Sequence, residues 1–404
     1  MNLLRTNSLV LLVSLGLFLG SCKTGSTSED STENLGLEMA KKMADSEIKL
    51  FPAAYMVDFI DSPKWNYTSG LISLAMMNLW KETGDEKYFN YAKGYADSLI
   101  LEDGSIYKYN MENYNIDKLN SGKFLFGLYE KTGDERYMKA IEQLRDQLNG
   151  HPRTSEGGFW HKERYPWQMW LDGLYMGSPF YAQWAAYHDD SAAFADVVNQ
   201  FKLVHKYTYD STTSLNYHGW DESKKQKWAN PETGKSPNFW GRAMGWYIMA
   251  IVDVLDFLPA DHPERDDMIA ILNDVALGIK NYQDSASGVW YQVLDKGNRE
   301  GNYLEATASS MYVYGLLKAV RLNYIDSSYK EVAIKGYKGL LDNFIKENED
   351  GTISLTKCCA VAGLGGNPYR DGSFEYYISE PVRDNDPKGV GPFIMASIEY
   401  SYLQ

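Results

Sequence analysis

The sequence Leu79-Trp80-Lys81-Glu82-Thr83-Gly84-Asp85-Glu86-Lys87-Tyr88 is almost repeated further along the chain as Leu128-Tyr129-Glu130-Lys131-Thr132-Gly133-Asp134-Glu135-Arg136-Tyr137. In each copy, a glycine after an apolar-periodic run is typical of a left-handed helix C-cap, and the aspartate after it is a preferred N-cap. Each copy therefore predicts two antiparallel helices joined by a tight turn, with the tyrosine packing back across it. A weaker copy, Asn323–Tyr329, joins two later predicted helices.

Apolar residues spaced three and four apart predict twelve helices after the N-terminal region. They lie at 36–50, 66–83, 85–100, 117–132, 134–149, 171–188, 190–208, 240–258, 263–283, 302–323, 327–346 and 387–404. Tight turns alternate with long intervals, at 101–116, 150–170, 209–239, 284–301 and 347–386. Repeated hairpins stack as an open solenoid or a closed ring. Long loops confined to one face favour a closed helical barrel with a site at that end, and short strands are expected at 208–217 and 351–356.

The first residues of the chain are predicted to be an export signal rather than part of the fold. A basic start, Met1–Arg5, precedes an apolar run, Ser8–Leu19, that is too short for a comfortable membrane span. The run ends in Leu19-Gly20-Ser21-Cys22, which looks like a bacterial lipobox. Cleavage before Cys22 and lipidation of that cysteine are therefore predicted. An ordinary secretory signal with an incidental cysteine is the alternative.

This interpretation divides the chain into a signal peptide at 1–22, a flexible tether at 23–34 and a single barrel domain at 35–404. No linker composition interrupts the last of these. The predicted location is the bacterial cell envelope, periplasmic or surface-facing, with membrane attachment only through the lipid anchor.

Charge and cysteine content exclude several classes of function. The net charge is −14, with 54 acidic and 40 basic residues, which argues against nucleic acid as a partner. An anionic substrate would need local cations in a pocket to overcome the overall field. After Cys22 only the adjacent Cys358 and Cys359 remain, so neither a disulfide framework nor a zinc site is indicated. Two reduced thiols are favoured over a strained vicinal disulfide, and no metal or cofactor is predicted.

The segment Trp167–Phe180 places one acid, Asp172, among aromatic and apolar residues where a helical pattern starts. Gly173, Gly177 and Pro179 are poor helix-interior residues and predict a constrained loop and first turn. A carboxylate with apolar neighbours loses solvation, so its pKa is expected to rise and it can act as a general acid. A simple N-cap is the alternative role for such an aspartate.

Other candidate residues lie in the long loops or at the helix starts beside them. Asp117 begins a predicted helix in Asn115–Asn120, where it is also a plausible cap. His218 lies in a loop, and Arg242 opens a helix between Trp240 and Trp246. A structural histidine, a surface ion pair and core tryptophans are the simpler alternatives. The glycine-rich Gly363–Gly366 lacks the Lys-Ser/Thr ending of a phosphate-binding loop.

Together these motifs resemble the unsaturated glucuronyl and rhamnogalacturonyl hydrolases of glycoside hydrolase families 88 and 105, over nearly all of 36–404. The motifs are Trp170–Met176, Asn115–Asn120, His218-Gly219, Trp240–Trp246 with Leu258-Pro259, and Tyr369–Ser373 with Glu375-Tyr376-Tyr377. The resemblance implies an all-α fold, an (α/α)6 barrel of six helical hairpins, in accord with the twelve predicted helices. The residues from Asp172 to Phe180 look more like family 105.

The resemblance also implies a reaction. Enzymes of these families remove the 4,5-unsaturated uronic acid that polysaccharide lyases leave at a non-reducing end, by protonating C4 and adding water at C5. Asp172 would be the general acid/base. Asp117 would bond the sugar hydroxyls and help to hold Asp172 protonated, while His218 and Arg242 would contact the sugar and Arg242 would offset its carboxylate. The remaining expected pocket residues are Trp170, Met176, Trp240 and Trp246.

The expected substrate is the unsaturated galacturonyl unit of rhamnogalacturonan and other pectin lyase products. Unsaturated glucuronyl units of glycosaminoglycan disaccharides are the alternative within the same chemistry. A non-catalytic glycan-binding surface lipoprotein is a rival of another class, since 31 tyrosines and 11 tryptophans suit sugar stacking as well as an aromatic core. A helical-barrel epimerase would want paired catalytic histidines, and a purely structural repeat scaffold leaves the one-sided long loops unexplained.

Overall fold

Helices dominate residues 34–403, the part of the chain that the computed structural model describes. In this part the α-helices are α1 (Leu35–Leu50), α2 (Tyr67–Thr83), α3 (Glu86–Asp97), α4 (Lys123–Thr132), α5 (Glu135–Gly150), α6 (Leu171–His188), α7 (Ser191–Thr208), α8 (Gly241–Leu255), α9 (Arg265–Asn281), α10 (Ala306–Arg321), α11 (Tyr329–Phe344), α12 (Phe374–Ser379) and α13 (Pro387–Ser401). All but the short α12 coincide with predicted helices. The helix predicted from residue 117 begins as a 3-10 helix, Ile116–Gly122, and becomes α-helical in α4.

The two Gly-Asp turns form as predicted. Gly84 and Gly133 have φ of +68° and +67°, a left-handed conformation that residues with a Cβ rarely adopt. The side chains of Asp85 and Asp134 each accept a hydrogen bond from the amide two residues further on, at 3.0 Å. Each turn is therefore short, and the two helices that it joins run antiparallel.

The helices form two concentric rings. The inner ring consists of α2, α4, α6, α8, α10 and α13, each in contact with its neighbours, and α13 packs against α2 to close the circle. The outer helices α3, α5, α7, α9 and α11 each pack against the inner helix before them, and α1 packs against α13. Six helical hairpins in a closed ring make an (α/α)6 barrel, which confirms the predicted fold.

The hydrophobic core lies within and between the two rings. Every residue of the inner helix α8 is buried, as expected for a helix that is apolar on all sides. The outer helix α5 buries only one face, which includes Tyr137, Ile141 and Leu144. The burial pattern of the chain thus separates the inner helices from the outer ones.

Short strands occur in the long loops, which all connect an outer helix to the next inner helix at one end of the barrel. They are β1 (Gln168–Trp170), β2 (Tyr209–Asp210), β3 (Leu215–Asn216), β4 (Gly219–Asp221), β5 (Ile345–Glu347), β6 (Ile353–Leu355), β7 (Cys358–Cys359) and β8 (Val382–Arg383). Antiparallel pairs form between β1 and β4, β2 and β3, β5 and β6, and β7 and β8. The strands expected at 208–217 and 351–356 are β2, β3 and β6. We call this end of the barrel the loop end and the opposite end the base.

Of the constrained loop and first turn predicted around Asp172, the helical turn is found and the loop is wrong, because Gly173, Gly177 and Pro179 all lie inside α6. A Cβ at Gly173 would lie 3.0 Å from Nδ1 of His161, and one at Gly177 would lie 2.9 Å from the Ile116 side chain. The glycines are needed because neighbouring segments pack directly against the helix backbone. They serve close packing rather than a loop.

The predicted signal peptide, the lipidation site Cys22 and the tether up to residue 33 lie outside the described residues. No helix within 34–403 is both long enough and apolar enough to cross a bilayer.

Candidate active site

A cavity of about 190 Å³ lies at the loop end, where the first turns of α2, α6, α8 and α13 meet. Seven of the eight predicted site residues line it, and the eighth, His218, is buried against Asp172. The seven are Asp117, Trp170, Asp172, Met176, Trp240, Arg242 and Trp246. The sequence interpretation therefore placed residues from four distant segments at one site.

Asp172 and His218 come together because β1 pairs with β4. Asp172 follows β1 at the start of α6, His218 precedes β4, and the amide of Leu171 donates to the His218 carbonyl at 3.0 Å. His218 Nε2 lies 3.1 Å from Asp172 Oδ2, although the two groups are not aligned as a regular hydrogen bond. The other ring nitrogen, Nδ1, lies 2.7 Å from the hydroxyl of Tyr377. The contact with Tyr377 thus fixes the imidazole so that its Nε2 side faces the Asp172 carboxylate.

The structure lowers the pKa of Asp172, whereas the sequence predicted a raised one. Burial raises this pKa, but the interactions with His218, His161 and Arg242 together outweigh burial and leave it lowered. Burial also lowers the pKa of His161 to about 3, so His161 is neutral at neutral pH and Arg242 is the permanent cation of the three. The prediction was wrong because it considered only the apolar neighbours of Asp172 in sequence. In the unliganded protein Asp172 is ionised.

Asp117 is neutralised by its own partners. Lys162 forms an ion pair with Asp117 Oδ2, and His161 Nε2 lies 3.4 Å from Oδ1. Burial raises the pKa of Asp117, but the charge of Lys162 and the contact with His161 leave it lowered overall. Lys162 therefore cancels the negative charge that was expected to keep Asp172 protonated.

Arg242 is buried and held through strand β7. Its Nη1 donates to the carbonyl oxygen of Cys359, and the Cys359 amide donates to the buried carboxylate of Glu305 at 2.8 Å. The guanidinium carbon lies 4.7 Å from the ring centre of Trp240. Within the described residues Arg242 Nε has no hydrogen-bond partner. Glu305, which the sequence analysis missed, thus positions the segment that orients Arg242.

Aromatic side chains wall the cavity. Trp170 is stacked between Tyr165 and His161, with ring centres 5.0 Å and 4.4 Å apart. Trp240 and Trp246 are both only 1% exposed and still line the cavity. Each therefore belongs to the hydrophobic core and to the cavity wall. The cavity accordingly offers flat apolar faces of the kind that sugar rings pack against.

Four cavity cations were not predicted as site residues: Lys162, Arg164, Arg370 and Lys388. With Arg242 they make five cationic side chains in a lining that holds two carboxylates, in a chain whose net charge is −14, and Lys388 is itself paired with the buried Asp386 at 2.9 Å. The segment 160–165, in which Lys162 and Arg164 lie between Trp160 and Tyr165, was a signal that could have identified two of them. Nothing in the sequence near Lys388 indicates a site, because α13 reaches the cavity only through the closure of the helical ring.

The arrangement is suited to proton transfer on an anionic sugar. It combines a carboxylate backed by a histidine, an excess of positive charge and aromatic walls in a helical barrel, which defines the class as a carbohydrate-active enzyme. Within residues 34–403, no three His, Cys, Asp or Glu side chains are grouped as metal ligands would be.

Comparisons with known proteins agree with this class. The sequence profile of Glycosyl Hydrolase Family 88 matches residues 39–404. The structure of a family 105 glycoside hydrolase from C. acetobutylicum ATCC 824 is 50% identical, with a TM-score of 0.86, and the match covers 90% of this chain and 99% of that one. Unsaturated rhamnogalacturonyl hydrolase YesR of Bacillus subtilis (strain 168) is 26% identical over 312 residues, 76% of this chain and 82% of YesR. Unsaturated glucuronyl hydrolase from Bacillus sp. GL1, at 15% identity and a TM-score of 0.65 over 90% of this chain and 95% of that one, shares the fold.

The chain therefore belongs to Glycosyl Hydrolase Family 88 as this profile defines it, and it groups with the family 105 glycoside hydrolases. The resemblance drawn from the sequence motifs is confirmed. The protein is a glycoside hydrolase, which decides against the glycan-binding protein without catalysis.

Proposed function

We propose that this glycoside hydrolase removes a 4,5-unsaturated uronic acid from the non-reducing end of lyase-generated oligosaccharides. The main substrate in this proposal is the unsaturated galacturonyl-rhamnose unit from rhamnogalacturonan. The observation that carries it is the cluster of five cations around Asp172 and Asp117 in an otherwise acidic protein. A cavity of about 190 Å³ is smaller than the roughly 300–1,000 Å³ of drug-sized pockets, which suits one charged sugar ring.

The lowered pKa of Asp172 requires that the substrate itself help to protonate it. A uronate carboxylate bound next to Arg242 offsets that cation and adds a negative charge near Asp172. Both effects favour the neutral form of the aspartic acid, so its pKa rises in the complex. The general acid is thus created when the correct anion binds, and a neutral sugar would not create it.

The proposed reaction uses Asp172 twice. Its proton goes to C4 while water adds at C5, and the carboxylate then takes the proton that the water gives up. The hemiketal at C5 opens, and the bond to the next sugar is lost. His218 acts as a positioning residue, since it lies against Asp172 Oδ2 and is fixed by Tyr377 on its other side.

Asp117 has a binding role in this scheme. Lys162 and His161 hold its carboxylate at the cavity wall, where its lone pairs can accept hydrogen bonds from sugar hydroxyls. Trp170, stacked on His161, supplies the adjacent apolar face.

The choice of rhamnogalacturonan rests on the sequence after Asp172 and on the name of the relative YesR. Unsaturated glucuronyl disaccharides from glycosaminoglycans remain the alternative substrate of the same reaction. Both carry the carboxylate and the double bond that the cavity is proposed to recognise, and they differ in the sugar that follows.

The test follows the ultraviolet absorbance of the C4=C5 double bond after addition of purified residues 23–404. Lyase-generated rhamnogalacturonan and chondroitin disaccharides are used separately. We expect the absorbance to fall with the first substrate and to fall more slowly or not at all with the second. A fall with chondroitin alone would move the substrate to the alternative. No fall with either, while calorimetry detects binding, would overturn the proposed reaction.

We also propose that Cys22 carries the lipid and that the protein is anchored in the bacterial cell envelope. The support is the lipobox-like Leu19–Cys22 after a short apolar run. Labelled palmitate should enter the wild-type protein expressed in a bacterium and should be absent from the Cys22→Ser variant. Equal labelling of both would overturn this assignment.

A further inference from the structure

A second cavity, of about 340 Å³, lies at the loop end beside the first. Three lysines, three asparagines and three aromatic residues line it, together with a Ser-Pro pair. The lysines are Lys64, Lys108 and Lys118, and the aromatic residues are Trp65, Tyr107 and Tyr109. We call it the lysine cavity.

The lysine cavity shares two walls with the active-site cavity. Lys118 lines the lysine cavity while its neighbour Asp117 lines the active site. Trp65 and Tyr67, two residues apart, are divided in the same way. Consecutive Cα atoms are about 3.8 Å apart, so only the thickness of these two chain segments separates the cavities.

These shared walls are rigidly built. The indole of Trp65 donates to the carbonyl oxygen of Lys118 at 2.9 Å, and the Lys118 ammonium donates to the carbonyl oxygen of Trp65. The Trp65 ring also stacks on Tyr95 at 5.7 Å with an interplanar angle of 11°. At the rim, Tyr107 is 43% exposed, which leaves an aromatic ring free to contact a ligand.

The lining of the lysine cavity is rich in positive charge. Among the described residues that line it there is no aspartate or glutamate. Burial and repulsion from Lys64 together lower the pKa of Lys118 to about 8, although the adjacent Asp117 carboxylate acts in the opposite direction. Mutual repulsion between cations in a chain of net charge −14 is unfavourable, and a bound anion would relieve it.

We propose that the lysine cavity is a distal subsite that binds the carboxylate of the next uronic acid along the oligosaccharide. This rests on the proposed function, and it extends that function to longer substrates. In a chain that alternates galacturonate with rhamnose, one neutral sugar lies between the unsaturated uronate and the next carboxylate. Asparagine amides and the exposed Tyr107 ring would contact the sugar that bears that carboxylate.

The first test compares three substrates with the wild-type protein. They are the unsaturated disaccharide, the unsaturated tetrasaccharide, and the same tetrasaccharide with its internal carboxylate reduced to an alcohol. We expect KM to be about tenfold lower for the acidic tetrasaccharide than for the other two, since a hydrogen bond to a charged group contributes about 1.5 kcal/mol. Equal KM for all three would overturn the subsite.

The second test removes the cavity charge in the double variant Lys64→Gln, Lys108→Gln. We expect the tetrasaccharide advantage to disappear while the kinetics on the disaccharide stay unchanged. Lys338→Gln, an exposed lysine on the outer helix α11, is the matched control and should keep the advantage. A double variant that also keeps it would overturn the proposal.

The two proposals fail in different ways. Turnover of the disaccharide without any tetrasaccharide preference removes only the subsite. If no substrate is turned over, the proposed function fails, and calorimetry with the acidic tetrasaccharide still decides the subsite. Binding that the double variant weakens about tenfold would support it, and binding that is equal or undetectable in both proteins would overturn it.

Discussion

Both ends of the barrel carry acidic and cationic side chains in a cavity, but these side chains are paired with each other at one end and incompletely paired at the other. At the base, a cavity of about 260 Å³ lies between α4 and the later turns of α2, α6, α8 and α10. There the Lys318 ammonium donates to Asp253 at 2.7 Å and to Asp256 at 2.6 Å, and the Tyr314 hydroxyl donates to Asp253 at 2.6 Å. In this base network Asp253, Tyr314 and Lys318 are buried, Asp256 lies at the exposed edge, and the polar groups satisfy one another.

At the loop end the key polar atoms lack such partners. Within the described residues, Asp172 Oδ2, His218 Nε2 and Arg242 Nε are buried without a regular hydrogen bond. Buried polar atoms in proteins are nearly always paired, so these three mark a place where a ligand completes the bonding. The comparison teaches that burial of acids and cations does not by itself identify a site. Several incompletely paired groups in one cavity are the better indicator.

Unpaired buried polar atoms also occur near the base network. The Lys123 ammonium has no hydrogen-bond partner within the described residues and lies 3.4 Å from the ring centre of Tyr175. Burial lowers the pKa of Lys123 to about 7, so this amine is partly neutral at neutral pH. An amine that can lose its charge needs less compensation than a permanent ion, which explains why it is tolerated there.

The largest expected effect is loss of catalysis in Asp172→Asn. General acid–base catalysis contributes about 10²–10⁴-fold, and because Asp172 acts in both proton transfers we expect kcat to fall by the upper value. The fold should persist, since asparagine fills the same volume. Absorbance assays and urea unfolding measure the two effects. Turnover close to that of the wild type would remove Asp172 from the role.

The matching change at the base, Asp253→Asn, should do the reverse. It leaves the Lys318 ammonium without its main partner, and breaking a buried ion pair costs about 3–5 kcal/mol of unfolding free energy. The activity of the protein that remains folded should be unchanged. Urea unfolding and kcat at a temperature well below unfolding are the measurements. Lost activity with unchanged stability would show that the base network takes part in function.

A smaller effect is expected for Arg242→Lys. Lysine keeps the charge but loses the planar donor pair, so kcat/KM should fall about 10²-fold, in the range of about 2–5 kcal/mol for a disrupted buried charge pair. A substrate whose carboxylate is reduced to an alcohol should be equally poor for both proteins. If the variant lowers kcat/KM on that substrate as well, Arg242 acts through structure and not through the carboxylate. Circular dichroism checks the fold.

The smallest effect concerns stability against pH at the loop end. Burial lowers the pKa of His151 to about 4 and that of His161 to about 3, from an ordinary value of 6.5. Below pH 6.5 these histidines bind protons in the unfolded chain but not in the folded one. The free energy of unfolding therefore falls as the pH drops toward these values. At pH 5 each histidine should cost about 2 kcal/mol relative to pH 7.5.

Urea unfolding at the two pH values measures this dependence. His151→Gln should reduce the fall in stability by about 2 kcal/mol, the contribution of one such histidine. Asp253→Asn, at the base, should leave the pH dependence as it is in the wild type. A dependence that His151→Gln does not reduce would place its origin elsewhere.

Local signals predicted most of the fold. The Gly-Asp turns and the three-four apolar spacing act within one or two helical turns, so the helices could be found from neighbouring residues alone. The alternation of short and long connections then indicated the ring. The pairing of β1 with β4 could not be predicted, because the two strands are three residues each and come from separate loops.

The residues of the candidate site could be predicted from the sequence, but the pKa of its key carboxylate could not. Asp117, Asp172 and Arg242 stand in motifs and could be named from the sequence. The direction of the pKa of Asp172 depends on charges brought in by other loops, and the pairing of Asp117 with Lys162 depends on the same tertiary contacts. Such interactions between charged groups depend on distances that are set only when the helices have closed into the ring.

The last helix, α13, closes the inner ring against α2 and also packs against the first helix, α1. This arrangement has a consequence for biosynthesis. The first and last helices of the barrel pack against each other, and Asn34 donates to the Ser401 carbonyl at 2.8 Å. A ribosome releases α13 last, so the inner helices made before it stay partly uncovered until synthesis of the barrel is nearly complete. Such late, long-range closure exposes apolar surface for a long time. A nascent chain of this kind depends on chaperones more than one whose domains close as they emerge.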